Sequence, residues 1–370
     1  MDLRPFEDAS NQTAVVVLTK NEPTSYPVPY VLWGKKGNLT FDMSLEEVKA
    51  ATTRSSLMAE PVDRQDTTSP WFTLPRSLLV LRSVVGPSQY RARAGSYTGG
   101  ANGVYWVRIL ERERDGNLLV ENLFDVGKKK VKRVQKVIEP DLVYPLIKSR
   151  NIRKWRMIGE HVYALHVQDP EKRIGYDEHW LKRTCPKTYA YLREFEDVLR
   201  ARSSNVVRQL MEDGPFYSMY AVGKETFSPC KVTWVSMGSK LAACVTGSIQ
   251  EKAIGEKPIV PEHVLMFIPC EKESEAHYLC AILNSSIANK IVQSYSIKGG
   301  KSFASAHILE FLNIKKFDPK NEIHKELSQL SRLAHNLAAK DSPVDDVQRK
   351  IDRLVAKIYG LTAKELAATA

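Results

Sequence analysis

The chain has 370 residues, of which 43% are hydrophobic and 9% aromatic, and its formal net charge is +11. This composition is typical of a globular protein with one large core or, as we favour, two domains of ordinary size. Five cysteines without Cys-x-x-Cys spacing argue against a disulfide framework or a structural zinc site, and they predict a reducing, cytoplasmic environment.

Membrane association is not expected, because the N-terminus is polar and no apolar run approaches the roughly 20 residues that span a bilayer. The β-branched run at residues 13–19 predicts a buried strand, and Ser44-Leu-Glu-Glu47 predicts the capping box of a short helix. The polar stretch at residues 52–69 predicts a linker, with a domain boundary near residue 60.

The stretch from Tyr90 to Trp106 combines arginines, hydroxyl and amide side chains, four glycines and an aromatic pair. Its glycines would let the backbone take positive φ and approach a ligand, while the arginines would pair with phosphates or guanine edges. A turn before a strand at residues 104–110 explains the same residues equally well.

The middle of the chain alternates short apolar runs with glycine, Asx or charged turns. It predicts strands at residues 77–85, 104–110, 118–124, 231–237, 241–246 and 263–268. A long helix is predicted from Pro186, because apolar residues keep helical spacing from Tyr189 to Leu199. We expect this helix to pack on the sheet.

A basic window extends from Lys128 to Arg156, where eleven Lys or Arg residues face only Glu139 and Asp141. This segment therefore carries nine of the eleven net positive charges. Such a concentration is typical of binding to a phosphate backbone, although a solvated basic face is the plainer alternative. Tyr144 and Trp155 interrupt the window and indicate that it is folded.

The last hundred residues are amphipathic and predict helices at 276–293, 321–340 and 342–359. Ser342-Pro-Val-Asp345 suggests a capping box, and Gly360 suggests the end of the last helix. Lys298-Gly-Gly-Lys-Ser302 is not a phosphate-binding P-loop, because its first glycine would have to stand where Tyr295 does. We predict a basic loop that contacts phosphates there, or a simple helix-ending turn.

Catalytic patterns are not apparent in the sequence. The eight histidines include no His-Glu-x-x-His pattern, and neither a Gly-x-Ser-x-Gly elbow nor an acidic cluster of a two-metal nuclease is found. Enzymatic chemistry therefore has no recognisable residues in this chain.

Several segments together resemble the C-terminal part of the adenine-N6 DNA methyltransferases of restriction-modification systems, including enzymes that fuse methyltransferase and endonuclease. The resemblance is distributed over nearly the whole chain. The segments that carry it are 6–15, Tyr26-Pro-Val-Pro-Tyr30, 90–106, 138–147, 186–192, Thr226-Phe-Ser-Pro-Cys-Lys-Val232, Leu283-Asn-Ser-Ser286 and 351–361.

The resemblance implies a target-recognition part that reads DNA, preceded by a catalytic domain that binds S-adenosylmethionine and carries an Asn-Pro-Pro-Tyr-like motif. The sequence contains no Pro-Pro pair and no Phe-x-Gly-x-Gly motif, so it lacks the groups that would hold the cofactor and a flipped adenine. The cofactor is then expected in a missing domain or partner subunit. Residues 1–60 correspond to the end of the catalytic domain, 61–270 to the recognition domain and 271–370 to a helical region.

We therefore predict an α+β or mixed α/β protein whose β-rich recognition domain has a long packing helix and is followed by C-terminal helices. Its partners would be double-stranded DNA, a methyltransferase catalytic subunit or domain, and an endonuclease. Two alternatives remain open: a subunit of a split methyltransferase, and a non-catalytic structural or regulatory protein. The predicted DNA-binding residues are Arg91, Arg93, Ser96, Thr98, Asn102, Lys130, Lys132, Arg133, Lys148, Arg150, Arg153, Lys298, Lys301 and Ser302.

Overall fold

A computed structural model describes residues 14–40, 42–127, 130–295, 303–367 and 369. Its elements confirm a mixed α/β fold with a helical C-terminal region. The predicted phosphate-contacting residues Lys298, Lys301 and Ser302 lie outside the described residues, as does the resembling segment up to Thr13.

The N-terminal region forms an antiparallel sheet in the order β1-β2-β3. Its elements are β1 (Val28–Lys35), α1 (Leu45–Ala50), β2 (Thr52–Pro61), β3 (Trp71–Leu74) and a 3-10 helix (Arg76–Val84). The capping box at Ser44 is confirmed, since the Ser44 hydroxyl accepts from the Glu47 backbone and the Glu47 carboxylate accepts from Ser44 N–H.

Three local predictions in this region are wrong. Residues 14–19 form no strand, and Val15 is 94% exposed, because no strand among the described residues covers this apolar run. The first half of the predicted linker is strand β2, in which residues 53–56 are exposed while Ala59 and Glu60 are buried. Residues 76–84 form a 3-10 helix rather than a strand, since Leu78, Leu81 and Val84 recur every third position, the period of that helix.

The middle region contains a mixed sheet in the order β18-β8-β11-β5-β6-β7 among the described residues. Its elements up to residue 175 are β4 (Arg93–Ala94), α2 (Asn102–Tyr105), β5 (Trp106–Arg112), β6 (Leu118–Asn122), β7 (Gln135–Ile138), β8 (Val143–Ile147), a 3-10 helix (Ser149–Asn151), β9 (Ile152–Arg153), β10 (Arg156–Met157), β11 (Val162–Leu165), β12 (Gln168–Asp169) and β13 (Ile174–Gly175).

Helices then cover this sheet before a second sheet forms in the order β15-β14-β19-β4. These elements are α3 (Glu178–Thr184), α4 (Pro186–Arg193), α5 (Glu196–Arg200), α6 (Asn205–Glu212), a 3-10 helix (Lys224–Phe227), β14 (Cys230–Val235), β15 (Ala243–Thr246), β16 (Ser248–Glu251), β17 (Gly255–Pro258), β18 (Val260–Pro261) and β19 (Leu265–Cys270).

The long helix predicted from Pro186 is wrong in its continuity, although its buried face is right. The chain turns after α4 so that Phe195 is buried, with its N–H on the Leu192 carbonyl, and α5 begins afresh at Glu196. This turn also aims Glu194 outward, where Lys132 and Lys136 bind its carboxylate.

The C-terminal helices share one hydrophobic core with the second sheet. They are α7 (Glu273–Leu283), α8 (Ser286–Tyr295), α9 (Ile308–Phe311), α10 (Glu322–Ala339), α11 (Asp345–Ile358) and α12 (Ala363–Ala367). The predicted helix at 276–293 is divided into α7 and α8 at Asn284. The side chain of Asn284 accepts a hydrogen bond from the N–H of Ala243 and donates one to its carbonyl. The capping box at Ser342 is wrong, since α11 begins after Val344 without a side-chain cap, whereas Gly360 ends it at φ +68 as predicted.

Two large core clusters hold the fold together. One lies between the six-stranded sheet and helices α3 to α5, and it includes Trp106 and Phe195. The other lies between the second sheet and the C-terminal helices, and it also takes in the 3-10 helix at 76–84 and Trp155. The second cluster therefore contains side chains from the predicted recognition domain and from the predicted helical region, on both sides of residue 270.

A buried cation lies in the second sheet. Lys231 is 1% exposed, and its ammonium donates to the carbonyls of Ser228 and Ile259 at 2.7 and 3.1 Å. Burial lowers the pKa of Lys231 from 10.5 to about 7. Between these values the unfolded chain binds more protons than the folded chain, so the free energy of unfolding should rise with pH in this window.

We expect wild type to gain stability relative to Lys231→Met between pH 7 and pH 9, by up to about 1.4 kcal/mol per pH unit. Methionine has no proton to lose, so this variant removes the titration and keeps a long side chain. Urea denaturation of both proteins at pH 7, 8 and 9 measures the effect. A constant difference across that range would show that Lys231 does not titrate there.

Candidate nucleic-acid interface

The extended segment from Arg91 to Asn102 crosses the junction of the two sheets. Strand β4 pairs with β19, and Ser96 and Tyr97 then form backbone bridges to Glu262 and Tyr220. Gly95 is required by close backbone approach, because a Cβ there would lie 2.3 Å from the carbonyl oxygens of Pro261 and Glu262. The approach predicted for this glycine is thus to the protein's own backbone.

Two of the predicted base-reading residues face inward. Ser96 and Thr98 are each 3% exposed. The Ser96 hydroxyl bonds the Pro261 carbonyl and Nε2 of His166, whose pKa burial lowers to about 4. The hydroxyls of Ser96 and Thr98 therefore serve the fold in this structure, and base contacts by these two residues stay a prediction.

Asn102 keeps more freedom. It is half-buried at the start of α2, and its Oδ1 accepts a 2.5 Å hydrogen bond from the Thr98 hydroxyl. A carboxamide fixed through its oxygen still offers two N–H donors from Nδ2. The Asn102 side chain therefore keeps two donors, and a base contact there stays a prediction.

The two arginines of the segment differ in their surroundings. Arg91 is exposed, whereas Arg93 is half-buried and donates from Nη2 to Glu225 at 3.0 Å. Arg173, which was not predicted from the sequence, donates to both oxygens of the same carboxylate at 2.8 Å. Two guanidiniums and one carboxylate leave a local charge of +1.

On the other flank lie Lys148 and Arg150, which both interact with Glu262. The Lys148 ammonium stands 4.4 Å above the ring of Trp106, and Arg150 is exposed. Burial, with help from Arg150, lowers the pKa of Lys148, while burial raises the pKa of Glu262. An anion between these cations would relieve their repulsion and offset the cost of their desolvation.

Aromatic rings line the same surface. Tyr97 packs on His263 with ring centroids 4.8 Å apart, and burial lowers the pKa of His263. Tyr220 is 45% exposed beside the segment. None of these three rings was predicted from the sequence, because their proximity arises only from the bridges that the folded chain makes between distant segments.

The basic window does not form one contiguous face in the described residues. Lys130, Lys132 and Arg133 precede β7, whereas Lys148, Arg150 and Arg153 follow β8. These strands are separated by four strand spacings in the sheet order, roughly 19 Å at about 4.8 Å each. Lys148, Arg150 and Arg153 lie with Arg91 and Arg93 on the surface around the segment from Arg91 to Asn102, which we call the segment surface. Lys130, Lys132 and Arg133 form a separate patch.

Carboxylates neutralise much of that separate patch. Lys132 and Lys136 each bind Glu194 at 2.8 Å, and these hydrogen bonds lower the pKa of Glu194 to about 2. Arg133 binds Glu121 at 2.5 Å. Lys130 is exposed. On the segment surface, exposed Arg153 donates to the backbone carbonyls of Arg150 and Ile152.

The described residues contain neither a metal-binding cluster nor a membrane-spanning helix. Within the described ranges, no group of three or more His, Cys, Asp or Glu residues is placed to hold a metal ion. Across the same ranges, no helix is long and apolar enough to cross a bilayer. The five cysteines are buried and unpaired, and burial raises the pKa of Cys230 to about 11.

The fold and this surface define a mixed α/β protein with clustered arginine, lysine and tyrosine side chains at the junction of two sheets. Its sequence is 29% identical over 178 residues to the type II methyltransferase M.NspV of Nostoc sp. (strain ATCC 29411 / PCC 7524), covering 48% of this chain and 35% of that protein. No known family profile matches the sequence.

The fold is also similar to the type IIL restriction-modification enzyme MmeI, solved in complex with DNA. The TM-score is 0.45 at 11% identity, over 76% of this chain and 34% of that one. The chain thus spans about a third of the length of each of these proteins.

Proposed function

We propose that this chain is the DNA target-recognition part of an adenine-specific methyltransferase of a restriction-modification system. It supplies sequence specificity, while S-adenosylmethionine and the methyl transfer belong to a catalytic domain or subunit outside it. An endonuclease is a further partner under this proposal. The observation that carries it is the 178-residue similarity to a type II methyltransferase.

The segment surface supports DNA as the ligand. Arg91, Arg93, Lys148 and Arg150 offer donors for phosphates, and Asn102 offers donors for a base edge. Phosphate contacts would fix the position of the duplex, and the few side chains reaching base edges would set the sequence. The separate patch at Lys130, Lys132 and Arg133 would touch the duplex backbone at a distance, with its charge reduced by Glu121 and Glu194.

Asn102→Ala is expected to relax discrimination at one base position by about 1–3 kcal/mol, because two amide donors are lost. Affinity for non-specific duplex should stay unchanged, since no charge is removed. Competition binding against every single-base variant of the preferred site measures this effect. Uniform weakening at all positions, or no change at any, would remove Asn102 from the base-reading role.

A second candidate is a split methyltransferase that is active only after assembly with a cofactor-binding subunit. It is favoured by strand β1, an edge strand whose only sheet neighbour among the described residues is β2. Tyr30, Val31 and Leu32 are 37 to 53% exposed on it. An unpaired apolar edge is suited to adding a strand of another chain.

Mixing the purified chain with a subunit that carries an Asn-Pro-Pro-Tyr motif tests this candidate. Methyl transfer that requires both chains, and that Val31→Asp abolishes without weakening DNA binding, would support shared-sheet assembly. Full methyl transfer by the other subunit alone would contradict it.

A further inference from the structure

A cavity of about 440 Å³ opens beside β4, between the segment surface and the loop that precedes β14. Its apolar walls include Ala94, Val222 and Phe267, and its charged groups are Arg93, Arg173 and Glu225. This volume lies in the range of small-ligand sites, which are typically apolar with a few placed polar groups. Tyr220 stands at the same cavity with 45% of its surface exposed.

The polar groups are arranged for an anion. Each arginine holds Glu225 through Nη2, so Nη1 and Nε of both forks have no partner among the described side chains. Burial raises the pKa of Glu225, but its backbone hydrogen bond and the two arginines outweigh this and place the pKa below the usual range. The carboxylate is therefore ionised, and it orients both guanidiniums while leaving one positive charge uncompensated.

The backbone beside the cavity is held in an unusual conformation. Arg173 and Ala221 have φ of +58 and +59, a region that side-chain-bearing residues rarely adopt. Arg173 N–H donates to the Asp169 carbonyl at 2.8 Å, which fixes this turn. Gly223 lies opposite, where a Cβ would stand 2.9 Å from Oε2 of Glu225 and 3.0 Å from the Arg173 guanidinium carbon, so glycine leaves room for this ion pair. Strain of this kind accumulates where a side chain must be aimed at a ligand.

We propose that this cavity binds one phosphate group, supplied by a DNA strand, on the free N–H groups of Arg93 and Arg173. The neighbouring sugar or base lies against the exposed face of Tyr220. Planar guanidinium forks match phosphate oxygens in pairs, which a single lysine does not. The inference rests on the proposed function for the source of the phosphate, whereas the phosphate chemistry follows from the cavity.

The test measures duplex DNA affinity of the full chain across salt concentrations. Arg93→Ala with Arg173→Ala is expected to lower affinity at least tenfold and to reduce the salt slope by about 0.9, the value for one lost phosphate contact. Arg332→Ala with Arg349→Ala is the control, since these arginines also pair with single carboxylates but lie on α10 and α11. In this control protein, duplex affinity and salt slope should fall by much less than in the variant that lacks Arg93 and Arg173.

A second variant guards against misfolding of the first. Glu225→Gln keeps both arginines and removes the competing charge, so it should bind duplex several-fold more tightly. Unchanged affinity in this variant, or an unchanged slope in the double-alanine protein, would overturn the inference while leaving the proposed function intact.

Titration with dAMP and with inorganic phosphate shows whether the bound phosphate belongs to a DNA strand or to a free compound. If wild type binds no duplex, the proposed function fails, and arginine-dependent dAMP binding would still establish a phosphate site for a free nucleotide. Absence of dAMP binding in that case would overturn the site as well. Arginine-dependent binding of dAMP or of inorganic phosphate, together with an unchanged duplex slope, would make that free compound the ligand and overturn the DNA assignment.

Discussion

Arg202→Ala should lower the free energy of unfolding by roughly 3–5 kcal/mol. The guanidinium is buried, with 4% of the residue exposed, and it donates to the carbonyls of Thr98, Leu199, Phe216 and Ser218 at 2.6 to 3.1 Å. Removing it leaves several buried carbonyl oxygens without donors, each costing about 1–3 kcal/mol before water or relaxation compensates.

Arg200→Ala is the matched control for that substitution. Its side chain is 60% exposed and pairs with Glu196 on the helix surface, so we expect a change within about 1 kcal/mol. Equilibrium urea denaturation of both variants gives the comparison. A loss below about 1 kcal/mol for Arg202→Ala would mean that the four carbonyls find other donors, and that Arg202 does not anchor the segment at Thr98.

Lys148→Ala with Arg150→Ala should weaken duplex binding about a hundredfold and lower the salt slope by about 2. Both side chains interact with the half-buried Glu262. The double substitution therefore changes the local charge from +1 to −1, so that the surface repels phosphates instead of attracting them. The loss should be similar for all DNA sequences, because phosphate contacts carry no base information.

The control is Arg349→Ala with Lys350→Ala, which also removes one arginine and one lysine charge but from the surface of α11. Its salt slope should remain close to that of wild type. The loss of duplex affinity in Lys132→Ala should lie between the losses in the double variant and in its control, because Glu194 already binds Lys132 at 2.8 Å. Equal losses in the double variant and its control would show that net charge, rather than this surface, sets the affinity.

The sequence alone predicted those features that depend on local periodicity. The mixed fold and the helical C-terminal region follow from apolar spacing, and the structure confirms them. A short apolar run is compatible with a strand or with a helix, and its burial in the folded chain decides between the two. The run that contains Leu78 and Leu81 is a 3-10 helix. Interruptions such as the turn at Phe195 depend on packing that a periodic pattern does not contain.

The candidate surface was only partly predictable for the same reason. Arg93, Lys148 and Arg150 were found from charge and glycine content, but Arg173 and Tyr220 join them only through tertiary pairing. Conversely, Ser96 was predicted to face a ligand, and the backbone contact at Gly95 turns it inward toward His166. Hydroxyl groups in a glycine-rich segment do not reveal which side of the chain will be covered.

The central claim is that this chain by itself recognises a DNA sequence. Selection of binding sites from a random duplex pool, performed with the full chain at two salt concentrations, tests it most directly. We predict enrichment of one defined motif that contains adenine, with affinity that falls steeply as salt rises. Recovery of an unenriched pool, with the same weak binding at both salt concentrations, would contradict the claim.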